Sequence, residues 1–170
     1  MGNNGLKYHI PMGWVIFLFF YYTLLIVGGI AFMLYIILLI NEQSVQNYTC
    51  YTFYVSMLSS VSFASIYYSK KLYKACIDER LLYEESTNKA VTLGIIMYFI
   101  LRPIFAVAFS LLFVICILGG VFFLMNGLDC LVNDRMVYLS AIISSAIGYS
   151  IGEVLDLFKS ISNRTINNVH

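Results

Sequence analysis

Charged residues are scarce in this sequence. Lysine, arginine, aspartate and glutamate make up 11% of its 170 residues, whereas ordinary globular chains carry roughly 25%. So few charges cannot cover the surface of a soluble domain of this length. Ten basic residues balance nine acidic ones, and the net charge of +1 provides no basic footprint for nucleic acid. The composition excludes a soluble enzyme and a DNA-binding domain, and we expect no direct nucleic-acid binding.

Side chains that bind metals or carry catalysis are also few. The two histidines, His9 and His170, lie near the ends of the sequence, and no Cys-x-x-Cys pair occurs. Membrane metal sites and proton relays usually need histidine or paired carboxylates inside the helical bundle. We therefore predict no metal site, no cofactor and no enzymatic activity.

Apolar residues, in contrast, are abundant. They make up 61% of the chain, and the mean hydropathy is +0.84. A helix needs about 20 consecutive apolar residues to cross a bilayer, and four stretches meet this requirement, at about 12–40, 48–68, 103–125 and 136–158. We therefore predict an all-α integral membrane protein, a single four-span domain over residues 1–170 with short loops.

The third span has two interpretations, because Arg102 and Pro103 interrupt an apolar run from Ala90 to Met125. Proline suits the first turn of a helix and disfavours helix in the residue before it. A span that begins at Pro103 leaves Arg102 as an anchor at the headgroup level and makes 69–102 a helical cytoplasmic loop. The alternative is one kinked helix of 36 residues. We expect the first arrangement, because the second buries an arginine near the membrane centre.

Basic residues predict the orientation of the spans. Nine of the ten lie on one side of the predicted membrane, and only Arg135 lies on the other. Both termini are therefore expected in the cytoplasm. Trp14 and the pair Tyr67 and Tyr68 then fall at the inner interface, as an aromatic belt would.

Two of the four cysteines fall on the outer side in this topology. Cys50 lies at the start of span two, and Cys130 lies in the second outer loop. In an oxidising compartment a disulfide between them would tie the two outer loops together. The alternative is that they are small apolar residues that never meet.

The second and fourth spans each carry a face of small or hydroxyl residues, since residues four apart share a helix face. The residues of these faces are Ser140, Ser144, Gly148 and Gly152, with Glu153 and Asp156 at the cytoplasmic end, on span four, and Ser56, Ser60 and Ala64 on span two. One interpretation is close packing of helices. The other is a pore lining, in which small polar side chains leave room for water and an acidic ring favours cations.

Residues 69–85, between spans two and three, contain no glycine or proline. Lys74 with Asp78 and Arg80 with Glu84 form i,i+4 pairs. We predict that span two continues here into the cytoplasm as an amphipathic helix. The segment 69–89 could dock a protein partner, and the plainer interpretation is that it only solvates the loop.

The stretch from Arg102 to Phe158 resembles a pattern of small prokaryotic membrane proteins. The pattern is Arg102-Pro103, an apolar span with Gly119 and Gly120, an outer loop, and a second span with central glycine. Such proteins resemble the membrane modules of antiphage systems, for example the accessory membrane proteins encoded beside type VI CRISPR nucleases. The resemblance implies a bacterial inner-membrane location and an oligomeric pore that permeabilises the membrane during infection.

Two functional hypotheses remain from the sequence. The first is a small homo-oligomeric pore or channel-like effector in antiviral defence, which depends on the polar face of span four. The second is a non-conducting accessory subunit that uses the same faces to hold a partner in a larger membrane complex.

Overall fold

The computed structural model describes residues 8–42, 48–77, 81–82, 89–124 and 134–167. The helices are α1 (Met12–Glu42), α2 (Tyr48–Ile77), α3 (Lys89–Leu124) and α4 (Asp134–Asn167). Two short strands, β1 (Tyr8–His9) and β2 (Leu81–Leu82), pair in parallel, with Tyr8 opposite Leu81. The prediction of four helices is confirmed for the described residues.

Two of these helices are long and apolar enough to cross a membrane. The qualifying stretches are Met12–Ile40 in α1 and Ala90–Gly120 in α3. Their outward faces carry large apolar side chains, such as Phe20 on α1, which is 69% exposed, and Leu112 on α3, which is 60% exposed. Such faces are compatible with hydrocarbon surroundings. The crossing of a membrane by α2 and α4, and the side on which the termini lie, stay predictions.

Helix α2 lies at the centre of the bundle. It contacts α1, α3 and α4, and its contact with α4 is the most extensive. Small side chains explain this position, because they allow the backbones of neighbouring helices to approach closely. Ser56, Ser60 and Ala64, which form the predicted face of span two, are fully buried.

The core residues show that sequential helices run antiparallel. At one end of the bundle, the start of α1 and α3 meets the end of α2 and α4, through a set of shared core residues that includes Leu18, Tyr22, Tyr68, Phe99 and Ile151. The opposite end contains two smaller groups, formed by Ile40, Val55 and Val137 and by Val114 and Leu118.

Helix α3 differs from the expected arrangement, because it runs unbroken through Pro103 over 36 residues. The prediction of a separate segment before a helix that begins at Pro103 is wrong. Proline has no N–H to donate to the carbonyl four residues earlier, here that of Phe99. The Tyr22 hydroxyl of α1 donates to that carbonyl at 2.8 Å, and the Tyr21 hydroxyl donates to the carbonyl of Ile100 at 3.4 Å. A neighbouring helix therefore satisfies the backbone group that proline leaves free.

Helix α2 continues beyond the predicted span, as expected, and ends at Ile77. The prediction of helix as far as Glu85 is wrong at Leu81 and Leu82, which form β2. These two residues pair with β1 near the start of the chain. A pairing partner so distant in sequence leaves no trace in the local i,i+4 pattern that predicted the helix.

Candidate functional site

The small-residue face of α4 packs against α2. Ser144 is fully buried, and Ser140 is 5% exposed. At Gly148, an added Cβ would contact the Ser60 carbonyl oxygen and would lie 3.0 Å from its carbon. At Gly152 it would lie 3.0 Å from the Tyr68 hydroxyl. Gly148 therefore allows a helix approach that a larger residue would prevent, whereas a larger residue at Gly152 would require the tyrosine side chains to shift. The face is a contact within one chain.

Serine hydroxyls from three helices meet in the middle of this contact. Ser56 of α2 lies 2.7 Å from Ser110 of α3 and 2.7 Å from Ser144 of α4, oxygen to oxygen. All three side chains are fully buried. A hydroxyl has one hydrogen to donate and can also accept. Ser56 therefore donates in at most one of the two hydrogen bonds and accepts in the other. The three helices are thereby joined by direct side-chain hydrogen bonds.

A second pair of serines strengthens the same contact between α2 and α4. The Ser59 and Ser145 hydroxyls lie 2.6 Å apart. The Ala141 carbonyl lies 2.8 Å from the Ser59 oxygen and 2.7 Å from the Ser145 oxygen. We call Ser56, Ser59, Ser110, Ser144 and Ser145 the serine layer.

A small cavity of about 10 Å³ lies between α2, α3 and α4, with Thr52 and Ser140 as its polar lining residues. This volume corresponds to roughly one water molecule. Ser140 itself donates to the carbonyl of Val137 at 2.7 Å. The polar face of α4 is thus occupied by protein groups of the same chain.

A different polar cluster lies toward the end of the bundle where α2 and α4 finish. Arg102 of α3 is 8% exposed. Its Cζ atom lies 4.1 Å from the ring centroid of Tyr98 and 5.7 Å from that of Tyr68. Tyr22, which binds the Phe99 carbonyl, and Tyr68 are both fully buried. We call Arg102, Tyr98, Tyr68 and Tyr22 the arginine cluster.

Hydrogen bonding in the arginine cluster is incomplete. The Nη1 atom of Arg102 and the hydroxyl of Tyr68 are buried and have no hydrogen-bond partner among the described residues. The hydroxyls of Ser65 and Ser60 on α2 are also buried and have no hydrogen-bond partner among the described residues. Buried polar groups are normally paired, because an unpaired one loses its bonds to water without replacement. Two of these four atoms, the Arg102 Nη1 and the Tyr68 hydroxyl oxygen, belong to the arginine cluster, whereas Ser60 lies where α2 packs against Gly148 of α4.

The environment of two predicted interfacial residues therefore differs from the expectation. Arg102 does not extend its charge away from the bundle but lies among aromatic rings of α2 and α3. Tyr68, assigned to an aromatic belt, is buried, whereas Trp14 is 42% exposed. The reason in both cases is the unbroken α3, which places Arg102 against the end of α2. Pro103 beside it is also buried. A role of Arg102 and Pro103 in fixing the membrane boundary stays a prediction.

Other predicted site residues are only partly described. Glu153 and Asp156 belong to α4, and their side chains lie outside the described part. Cys50 is exposed in the first turn of α2, and Cys130 lies outside the described residues, so their disulfide stays a prediction. Of the predicted docking segment, residues 69–77 are the end of α2, with Lys70 exposed.

Some contributors to the two clusters are not among the residues predicted from sequence. Ser110 of α3 lies outside the predicted faces, although it contacts Ser56. Tyr22 was not singled out at all. A signal for Tyr22 existed, because a proline inside an apolar helix leaves one carbonyl that needs a donor from elsewhere. The identity of that donor depends on the tertiary fold.

No family model, no curated protein and no solved structure matches this chain. The resemblance to membrane modules of antiphage systems therefore stays a prediction. Within the described ranges, no group of three or more histidine, cysteine, aspartate or glutamate residues is placed to hold a metal ion.

Proposed function

We propose that this protein is a non-conducting interaction subunit of a membrane complex, the second of the two hypotheses from the sequence. One observation carries the proposal: Ser56 lies 2.7 Å from both Ser110 and Ser144. The polar face that would line a pore is used instead to bond α2, α3 and α4 of one chain. A water-filled path along this face would require α4 to separate from α2.

The location of the large apolar side chains supports the same proposal. The exposed faces of α1 and α3 carry residues such as Phe32 and Phe113, which are 62% and 45% exposed. Gly119 and Gly120 of α3 have open space above their Cα atoms. In lipid, small residues on an outer face permit close approach of another helix. We propose that the partner packs here, against α1 and α3, in a bacterial inner membrane.

The pore hypothesis supplies the outcome that would contradict this proposal. Purified protein is reconstituted into dye-filled liposomes at increasing protein density, with gramicidin as the conducting control. We expect ion flux equal to that of empty liposomes at every density. Flux that rises with protein density, and that falls when Glu153→Gln and Asp156→Asn are combined, would instead establish an oligomeric pore.

A second experiment tests the binding of a partner directly. Crosslinking in native membranes, followed by solubilisation, is compared for the wild type and for Gly119→Leu combined with Gly120→Leu. We expect a complex of fixed stoichiometry that the double variant loses, while its thermal unfolding is unchanged. A particle that contains only copies of this chain in both samples would contradict the subunit proposal.

A further inference from the structure

The buried guanidinium of Arg102 lacks a counter-charge among the described residues. Arg102 is 8% exposed, and its Nη1 atom has no hydrogen-bond partner among the described residues. Arginine stays charged in proteins and carries five N–H donors. A buried charge is tolerated only when an opposite charge or several hydrogen bonds compensate for its lost hydration. An anion bound beside Arg102 would supply this compensation.

The aromatic contacts decide from which direction an anion can bind. The Cζ atom of Arg102 lies over the Tyr98 ring, 4.1 Å from its centroid, so the ring shields the guanidinium on that side. The N–H donors of arginine lie in the plane of the group and point outward from its edge. Stacking on Tyr98 thus leaves the edge available, and the unpartnered Nη1 belongs to that edge.

A second donor lies beside this edge. The Tyr68 hydroxyl is buried without a partner, and the Tyr68 ring is 5.7 Å from the Arg102 Cζ atom. Gly152 of α4 leaves room for the hydroxyl, since an added Cβ would lie 3.0 Å from it. The Ser65 hydroxyl, also without a partner, lies one turn earlier on α2. The Tyr68 hydroxyl is thus an unpaired polar group on a side chain that lies next to the positive charge of Arg102.

We propose that Arg102 and the Tyr68 hydroxyl form a binding site for a phosphate-class oxyanion, supplied by the headgroup of an anionic phospholipid. Arginine binds phosphate through paired N–H bonds, and basic pockets between helices on the cytoplasmic side bind lipid headgroups. Lys70 and Lys74 follow Tyr68 on α2, and both are exposed. They add positive potential at the level where the predicted topology places the inner headgroups.

Lipid retention measured by native mass spectrometry tests this site. The full-length protein is purified in detergent and offered phosphatidylglycerol, phosphatidylcholine or inorganic phosphate, and thermal unfolding is recorded for the same samples. We expect one tightly retained phosphatidylglycerol and a raised Tm. Phosphatidylcholine should give neither effect, because its headgroup has no net negative charge. A rise in Tm with inorganic phosphate alone would identify the free anion as the source of the same chemistry.

Matched variants assign the binding to the proposed residues. Arg102→Gln should weaken phosphatidylglycerol binding about tenfold or more, and Arg135→Gln, the same charge change at an exposed position, should leave it within twofold. If Arg102→Gln fails to fold, Tyr68→Phe removes a single hydroxyl and should weaken binding about fivefold. Equal retention of both lipids, or unchanged phosphatidylglycerol and phosphate responses in Arg102→Gln and Tyr68→Phe, would overturn the proposal.

Discussion

The serine layer lies between α2, α3 and α4, and the arginine cluster lies between α1, α2 and α3. Their hydrogen bonds are completed differently. In the serine layer, each hydroxyl bonds another hydroxyl or a backbone carbonyl of the chain, at oxygen–oxygen distances of 2.6 to 2.8 Å. In the arginine cluster, the Arg102 Nη1 atom and the Tyr68 hydroxyl have no partner. The bonds of the serine layer serve packing, and the unpartnered atoms of the arginine cluster are the ones on which the proposed ligand site depends.

This difference also separates two meanings of polarity inside a domain that is predicted to cross a membrane. Burying a hydroxyl in such a domain costs little free energy, because hydroxyls can bond backbone carbonyls and one another. A guanidinium is expensive, and such a group is generally retained for a function. The small polar face of α4 first suggested the functional site, but the single arginine of α3 is the stronger candidate.

The largest expected effect is a loss of the close packing between α2 and α4. Gly148→Ala places a methyl group against the Ser60 carbonyl, and α4 must move away from α2. Overpacking of this kind costs about 2 to 3 kcal/mol. The matched control is Gly119→Ala, where nothing lies within 4 Å of the added Cβ and helix propensity favours alanine. In mixed micelles, Gly148→Ala should lower the free energy of unfolding, whereas Gly119→Ala should not lower it. Equal stability of both would show that α2 and α4 are not in close contact.

The second prediction concerns the proline that separates the two clusters on α3. Tyr22→Phe leaves the buried Phe99 carbonyl without the hydroxyl donor that lies at 2.8 Å, at a cost of about 1.5 kcal/mol. In a Pro103→Ala background the backbone N–H at 103 can bond this carbonyl, so the cost should fall to less than half. Tyr21→Phe, at the longer distance of 3.4 Å, is the matched control with a smaller effect. Identical costs in both backgrounds would show that Tyr22 does not compensate for the proline.

The third prediction is a smaller loss within the serine layer. Ser56→Ala removes the hydroxyl that Ser110 and Ser144 share, and interhelical bonds of this kind contribute about 1 kcal/mol in membrane proteins. Ser150→Ala provides the comparison, because the Ser150 hydroxyl bonds the carbonyl of Ala146 in its own helix. A double-mutant cycle of Ser56→Ala with Ser144→Ala should yield a positive coupling energy. Additive losses would indicate that the two hydroxyls do not interact.

Much of the fold was predictable from sequence because hydropathy and periodicity are local properties. The apolar run predicted a helix over 12–40, and α1 covers Met12–Glu42. The recurrence of small residues every fourth position predicted the contact face of α4 around Ser144 and Gly148. Between the two interpretations of that face, packing within the chain is the one for which the structure provides contacts.

The remaining features depend on contacts between distant residues. Pro103 disfavours helix locally, and the Tyr22 hydroxyl from another helix donates to the carbonyl that the proline cannot bond. The side chain of Arg102 could reach headgroups or protein, and the rings of Tyr98 and Tyr68 determine which. Leu81 and Leu82 form a strand only because Tyr8 and His9 pair with them. None of these partners is visible in a window of one or two helical turns.

The last prediction orients the two clusters in the membrane and leaves the stability of the bundle unchanged. Cys50 lies at the end of α2 nearer the serine layer, and Cys76 lies two turns beyond Tyr68, near the other end of α2. A membrane-impermeant maleimide added to intact cells should label Cys50 under reducing conditions, and it should label Cys76 only after permeabilisation.

Burial raises the pKa of the Cys76 thiol, and the thiolate is the reactive form. Its labelling after permeabilisation should therefore increase toward higher pH than that of a free cysteine peptide. Cys50→Ser and Cys76→Ser assign each signal. Labelling of Cys76 in intact cells would invert the predicted topology and would place Arg102 near the outer leaflet.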